Sequence, residues 1–191
     1  EEHAPPPELQ NDKKVIFVYG YNVNVKKGRG WIAETFKRLY WSGSRAQFYG
    51  VSWQGNDTQI YVPFIGHRTL DYHGNVINAL NSAQSFVSVV QDKVGEGDIT
   101  LIGHSLGNML CAEALRINPD LVSRYFMVNG AVAIEAFDGA AEQRGEMVHP
   151  EWEEYSGVNE RLWTSEWYRL FSPDNGFAND HRFRLTWRDK F

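Results

Sequence analysis

A single cysteine, Cys111, stands among 191 residues, so the chain can form no internal disulfide and no multi-cysteine zinc or iron–sulfur site. Long apolar runs are missing too. Gly, Asn or a charge interrupts every candidate well short of the ~18 residues a membrane span requires, and no such span is expected. Positive charge is not in excess: 19 Lys and Arg against 24 Asp and Glu leave a net −5. No overall basic field exists to draw in nucleic acid or anionic lipid, so neither is expected as a partner. Internal repeats are absent, and the only low-complexity tract is Pro5-Pro6-Pro7. What remains is ample material for a core: 42% apolar residues, 14% aromatics and seven Trp, at a length that suits one domain. The expectation is a soluble protein, cytoplasmic or exported after processing.

Residues 1–12 read as an extended N-terminal arm, ahead of a domain over 13–191. The unbroken β-prone run Val15-Ile16-Phe17-Val18-Tyr19, meeting Gly20, predicts a strand buried on both faces of a parallel sheet. A loop holding Lys26-Lys27-Gly28-Arg29-Gly30 follows, then Ile32, Phe36, Leu39 and Tyr40 at the spacing of an amphipathic helix. Gln47 to Trp53 reads as a second strand and Gln54 to Asp71 as an irregular stretch. Val76, Leu80, Ala83, Val87, Val90 and Val94 then recur every three or four residues, the best helical periodicity in the chain. Gly95 to Asp98 breaks that helix, Ile99 to Ile102 forms the next strand, and Leu106, Leu110, Ala114 and Ile117 mark a third helix. Pro119 makes Asn118 its end, because a residue before proline is steered away from helical angles. Arg124 to Val132 is a fourth strand. This alternation predicts an α/β fold: a mostly parallel central sheet flanked by helices. Its core covers 13–138, followed by an irregular, aromatic-rich, cap-like segment over 139–181.

Chemistry concentrates at Gly103-His104-Ser105-Leu106-Gly107, the junction of the third strand and its helix. A serine hydroxyl is a poor nucleophile unless it is exposed, fixed in orientation and approached by a base; a sharp strand-to-helix turn supplies the first two. Small residues two positions either side of Ser105 let the backbone fold back, and the helix start turns its free N–H groups toward the reacting centre. The N–H of Leu106 is then the natural first donor to an oxyanion.

With that motif, residues 13–138 resemble the α/β-hydrolase family, particularly its lipase- and esterase-like branch, in which Gly-His-Ser-Leu-Gly is a frequent nucleophile elbow. The likeness implies a second oxyanion donor on the loop after the strand two places earlier in the sheet order, here Tyr19-Gly20-Tyr21-Asn22. The N–H of Tyr21 would be that donor, while Tyr19 replaces the family's usual His. It further implies an acid and then a histidine base downstream of the serine. The acid falls near Glu135 or Asp138, the latter preferred, and of His149 and His181 the second is preferred as base. No cofactor is implied, and the substrate would be a small molecule carrying an ester or related acyl bond. Two late strands that should carry the acid and base are missing as clear apolar runs. The 191 residues are therefore expected to be one piece of a longer hydrolase, open to self-association or to a second chain that completes the sheet; a compact hydrolase with an unusual triad is the rival. A different class also stands: a hydrolase-shaped scaffold without a working base, binding a partner.

Other signals carry less. Gly28-Arg29-Gly30-Trp31-Ile32-Ala33 satisfies a relaxed dinucleotide fingerprint, but its strand ends too early, and loop flexibility accounts for the glycines. His67, Asp71 and His73 have the chemistry of metal ligands, yet three polar residues in a loop are commonplace and Asp71 equally suits a helix cap, so no metal is expected. Cys111 is expected to be buried as a small apolar side chain. Trp152, Trp163 and Trp167, with Tyr155 and Tyr168, either line an apolar acyl pocket or form a satellite core.

Overall fold

Apolar strands that alternate with amphipathic helices can bury both kinds of face only by stacking helices on a sheet, and the chain does so. The computed structural model describes residues 2–56, 59–64, 66–69 and 72–131, which belong to the compact unit Glu1–Ala131. In chain order the elements are β1 (Glu2–His3), β2 (Lys13–Val18), α1 (Val25–Trp41), β3 (Gln47–Val51), β4 (Gln59–Val62), β5 (Gly66–Thr69), α2 (Tyr72–Val89), β6 (Asp98–His104), α3 (Gly107–Ile117) and β7 (Arg124–Val128).

Among the described residues the main sheet runs β1-β3-β2-β6-β7, with β1 antiparallel at one edge and the other four strands parallel. Strand β2 pairs on both sides, Ile16 lying opposite Tyr49 of β3 and Leu101 of β6. Being central, it buries Ile16, Phe17 and Val18 in succession, as the unbroken run requires. The chain leaves β2 toward β3 and later returns past it to β6. Right-handed crossovers therefore put α1 on one face and α2 with α3 on the other, and α2 packs directly on α3.

Helix α2 buries Val76, Leu80, Ala83 and Val87, and one wider turn, Val90–Val94, buries Val90 and Val94, completing the periodic stripe. Gly95, at φ +70, ends it. From β2, the Lys14 ammonium donates to the carbonyls of Val94 and Glu96 at 2.6 and 2.8 Å, satisfying acceptors that the helix end leaves open. Helix α3 is buried from Gly107 to Leu115, and Asn118 closes it as the proline rule requires.

Three elements differ from the sequence expectation. Lys26 to Gly30 is helical rather than loop, because Asn24 caps α1 by accepting the Lys27 N–H at 2.9 Å. Gly28 is there for contact, not flexibility: a Cβ on it would lie 2.6 Å from the ring of Tyr19. With both glycines inside a helix, no phosphate-cradling turn remains. The stretch from Gln54 contains the antiparallel hairpin β4–β5, a local pairing that leaves no signal in a periodicity read over longer windows. The arm is also tied down, with Glu2 and His3 opposite Tyr49 and Phe48 and the His3 ring stacked 5.3 Å from Phe36. His67, Asp71 and His73 lie, in whole or in side chain, outside the described residues, as does everything from 132 on. No described helix is long and apolar enough to cross a membrane.

Candidate active site

Where neighbouring parallel strands send their connections to opposite faces, a crevice opens at their carboxyl ends, and open α/β sheets bind ligands there. In this sheet that place lies between β2 and β6, which lead to α1 and α3 respectively. The resemblance implies an oxyanion-loop strand two places earlier in the sheet order than the serine strand; the pairing makes them direct neighbours. Tyr19-Gly20-Tyr21-Asn22 follows β2, and Ser105 follows β6.

Ser105 has φ +50, a left-handed conformation uncommon for a residue with a Cβ, and sits half-buried between strand and helix. Such strain of about 1 to 3 kcal/mol persists only where the surroundings over-determine it. Here they do. The Ser105 N–H donates to the Val128 carbonyl at 3.0 Å, carrying the β6–β7 pairing one residue past the strand. The Ser105 carbonyl accepts from three groups: the Asn108 N–H at 3.1 Å, the Asn108 carboxamide at 2.8 Å and the Ala131 N–H at 3.3 Å. The Ser105 hydroxyl bonds to no described residue, nor does the Leu106 N–H.

Each glycine of the corner has a steric reason. A Cβ on Gly20 would lie 2.7 Å from Ser105 Cβ and 3.2 Å from its Oγ, so the loop after β2 presses directly on the serine. A Cβ on Gly107 would meet the Tyr19 carbonyl oxygen at 2.5 Å, and one on Gly103 would collide with Oδ1 of Asn108. His104 turns its ring onto Trp31 of α1, with centroids 4.9 Å apart. Burial holds its imidazole below the usual pKa.

Sequence reasoning missed the residues that brace this corner. The indole N–H of buried Trp53 donates to the Tyr19 carbonyl at 2.7 Å, and the Asn22 N–H, at φ +59, donates to the Gly55 carbonyl at 2.8 Å. The turn after β3 thus fixes the loop carrying Tyr21. Trp53→Phe leaves a buried carbonyl unpaired and is expected to cost about 2 kcal/mol in urea denaturation; an unchanged midpoint would show the bond to be dispensable. Asn108, fully buried, was the one legible clue: a carboxamide beside the apolar run Met109-Leu110-Cys111-Ala112 needs partners. Cys111 is fully buried, and desolvation pushes its thiol well above the ordinary range. The expected acid, Asp138 or Glu135, and base, His181 or His149, lie outside the described residues. Among the described residues no cluster of three His, Cys, Asp or Glu side chains is placed to hold a metal.

No protein-family model matches the chain, and neither does any curated protein. Among solved structures, a monoacylglycerol lipase from Paleococcus ferrophilus superposes with TM-score 0.44 at 18% identity, over 77% of this chain and 50% of that one. Mouse alpha/beta hydrolase domain-containing protein 10 gives 0.41 at 18% identity, over 83% and 52%. Est816, described as an N-acyl homoserine lactone degrading enzyme, gives 0.44 at 11%, over 98% and 70%. The chain spans about half the length of the first two.

Proposed function

We propose that this chain is a serine hydrolase of the α/β type, acting on a carboxylic ester or related acyl bond, with Ser105 as its nucleophile. The observation behind this reading is Ser105 itself: a half-buried serine held at φ +50 between the end of β6 and the buried helix α3, against the loop that follows β2. A serine so strained without a task would be replaced at little cost by glycine.

In the reaction, Ser105 Oγ attacks the acyl carbon and its proton passes to a histidine base, for which His181 is the candidate and Asp138 its orienting acid. The carbonyl π-electrons move to oxygen, where the Leu106 N–H, at the start of α3, and the Tyr21 N–H are the proposed donors. Collapse breaks the bond to the alcohol, which leaves with the proton from the base. Water then repeats the sequence on the acyl-enzyme and frees the acid and the serine.

The test is covalent labelling. The protein should react stoichiometrically with a fluorophosphonate probe, and the adduct should map by peptide mass spectrometry to Ser105. Absence of an adduct, or an adduct elsewhere, would favour the non-catalytic scaffold instead.

A further inference from the structure

We propose that Asn108 and Tyr125 form a positioning latch that holds Ser105 in its left-handed conformation from behind the corner; this rests on reading Ser105 as the nucleophile.

The latch spans three elements. Asn108 is in the first turn of α3, completely buried, and its carboxamide N–H₂ donates to the Ser105 carbonyl at 2.8 Å and to the Val128 carbonyl at 3.4 Å. A carboxamide with its donors engaged still has an acceptor oxygen to satisfy. The Tyr125 hydroxyl, reaching in from β7, supplies the proton at 2.6 Å. Burial pushes that phenol upward, which favours its neutral, proton-donating form. Tyr125 thereby fixes which way the amide faces: oxygen toward the phenol, N–H₂ toward the serine.

The consequence is geometric. The N–H of Ser105 is directed at Val128, and its carbonyl at Asn108 and Ala131. With both flanking peptide groups pinned, the dihedral between them is no longer free. If the amide flipped, its oxygen would oppose two carbonyl oxygens, and the corner would relax toward ordinary extended angles. Gly103 belongs to the same device, since any side chain there would occupy the place of Asn108 Oδ1. Neither Asn108 nor Tyr125 is required to touch substrate; both act through the orientation of Ser105.

The experiment compares wild type, Tyr125→Phe, Asn108→Ala, the double variant and Phe126→Leu, a change at an exposed position on the opposite face of the same strand. Three quantities are read: the second-order rate of fluorophosphonate labelling at Ser105, kcat and KM for a nitrophenyl ester, and amide hydrogen exchange at Ser105. Tyr125→Phe is expected to slow labelling and kcat about tenfold with KM within about twofold, and to speed exchange at Ser105. Asn108→Ala should slow both rates about a hundredfold, and the double variant should be no slower, because the phenol acts only through the amide. Phe126→Leu should match wild type. A labelled wild type with Tyr125→Phe at full rate overturns the latch and leaves the nucleophile standing, whereas a wild type that is never labelled removes both. Should Asn108→Ala fail to fold, Tyr125→Phe with its exchange measurement still decides.

Discussion

Ser105→Ala will lower turnover of a nitrophenyl ester on the order of 10^4- to 10^6-fold, with a thermal midpoint within about 2 °C of wild type. The first part follows from chemistry: without Oγ no acyl-enzyme forms, and the oxyanion donors retain only the residual catalysis that binding and polarisation provide. The second follows from structure. Alanine keeps the Cβ, so the strain at φ +50 and the contact with Gly20 are unchanged, and the hydroxyl it removes bonds to no described residue. A large fall in stability would mean that the serine is structural. Undiminished turnover would place the nucleophile elsewhere.

Gly107→Ala should have the largest effect on the fold. Its new methyl would lie 2.5 Å from the Tyr19 carbonyl oxygen and 2.7 Å from that of Val18. Both are backbone atoms at the end of a strand paired on two sides, so neither can rotate away. The start of α3 must instead lift off β2, at about 3 kcal/mol or more, or about 6 to 12 °C in Tm for a chain of this size. Activity should fall with it, since the same movement carries the Leu106 N–H away from the loop of Gly20 and Tyr21. Gly30→Ala is the control: nothing lies within 4 Å, so a helical alanine there should gain about 0.5 to 1 kcal/mol. A Gly107→Ala protein as stable as wild type would contradict the close approach of α3 to β2.

The residues that showed themselves in the sequence and those that did not differ in how far their partners lie along the chain. The Ser105 corner could be read because a buried strand, two spaced glycines and a periodic helix are neighbours in sequence. Asn24 is equally local, but an asparagine ahead of a Lys- and Gly-rich stretch suits a loop as well as a cap, and only its bond to the Lys27 N–H separates the two. Trp53 and Tyr125 carried no such signal. Trp53 meets its partner 34 residues away and Tyr125 meets Asn108 17 residues away, and nothing in their own neighbourhoods marks them.

By itself, then, the order of residues determined the strand-and-helix alternation, the buried centre of β2 and the place where a serine interrupts it, because side-chain periodicity and glycine or proline punctuation act within a few residues. Only the tertiary structure decided that β2 and β6 lie side by side with their helices on opposite faces. The same assembly set the indole of Trp53 against the loop after β2, and the carboxamide of Asn108, steadied by Tyr125, behind the serine. Strand pairing and buried hydrogen bonds join segments whose separation along the chain leaves no trace in either one, so the crevice and its bracing exist only once the sheet is assembled.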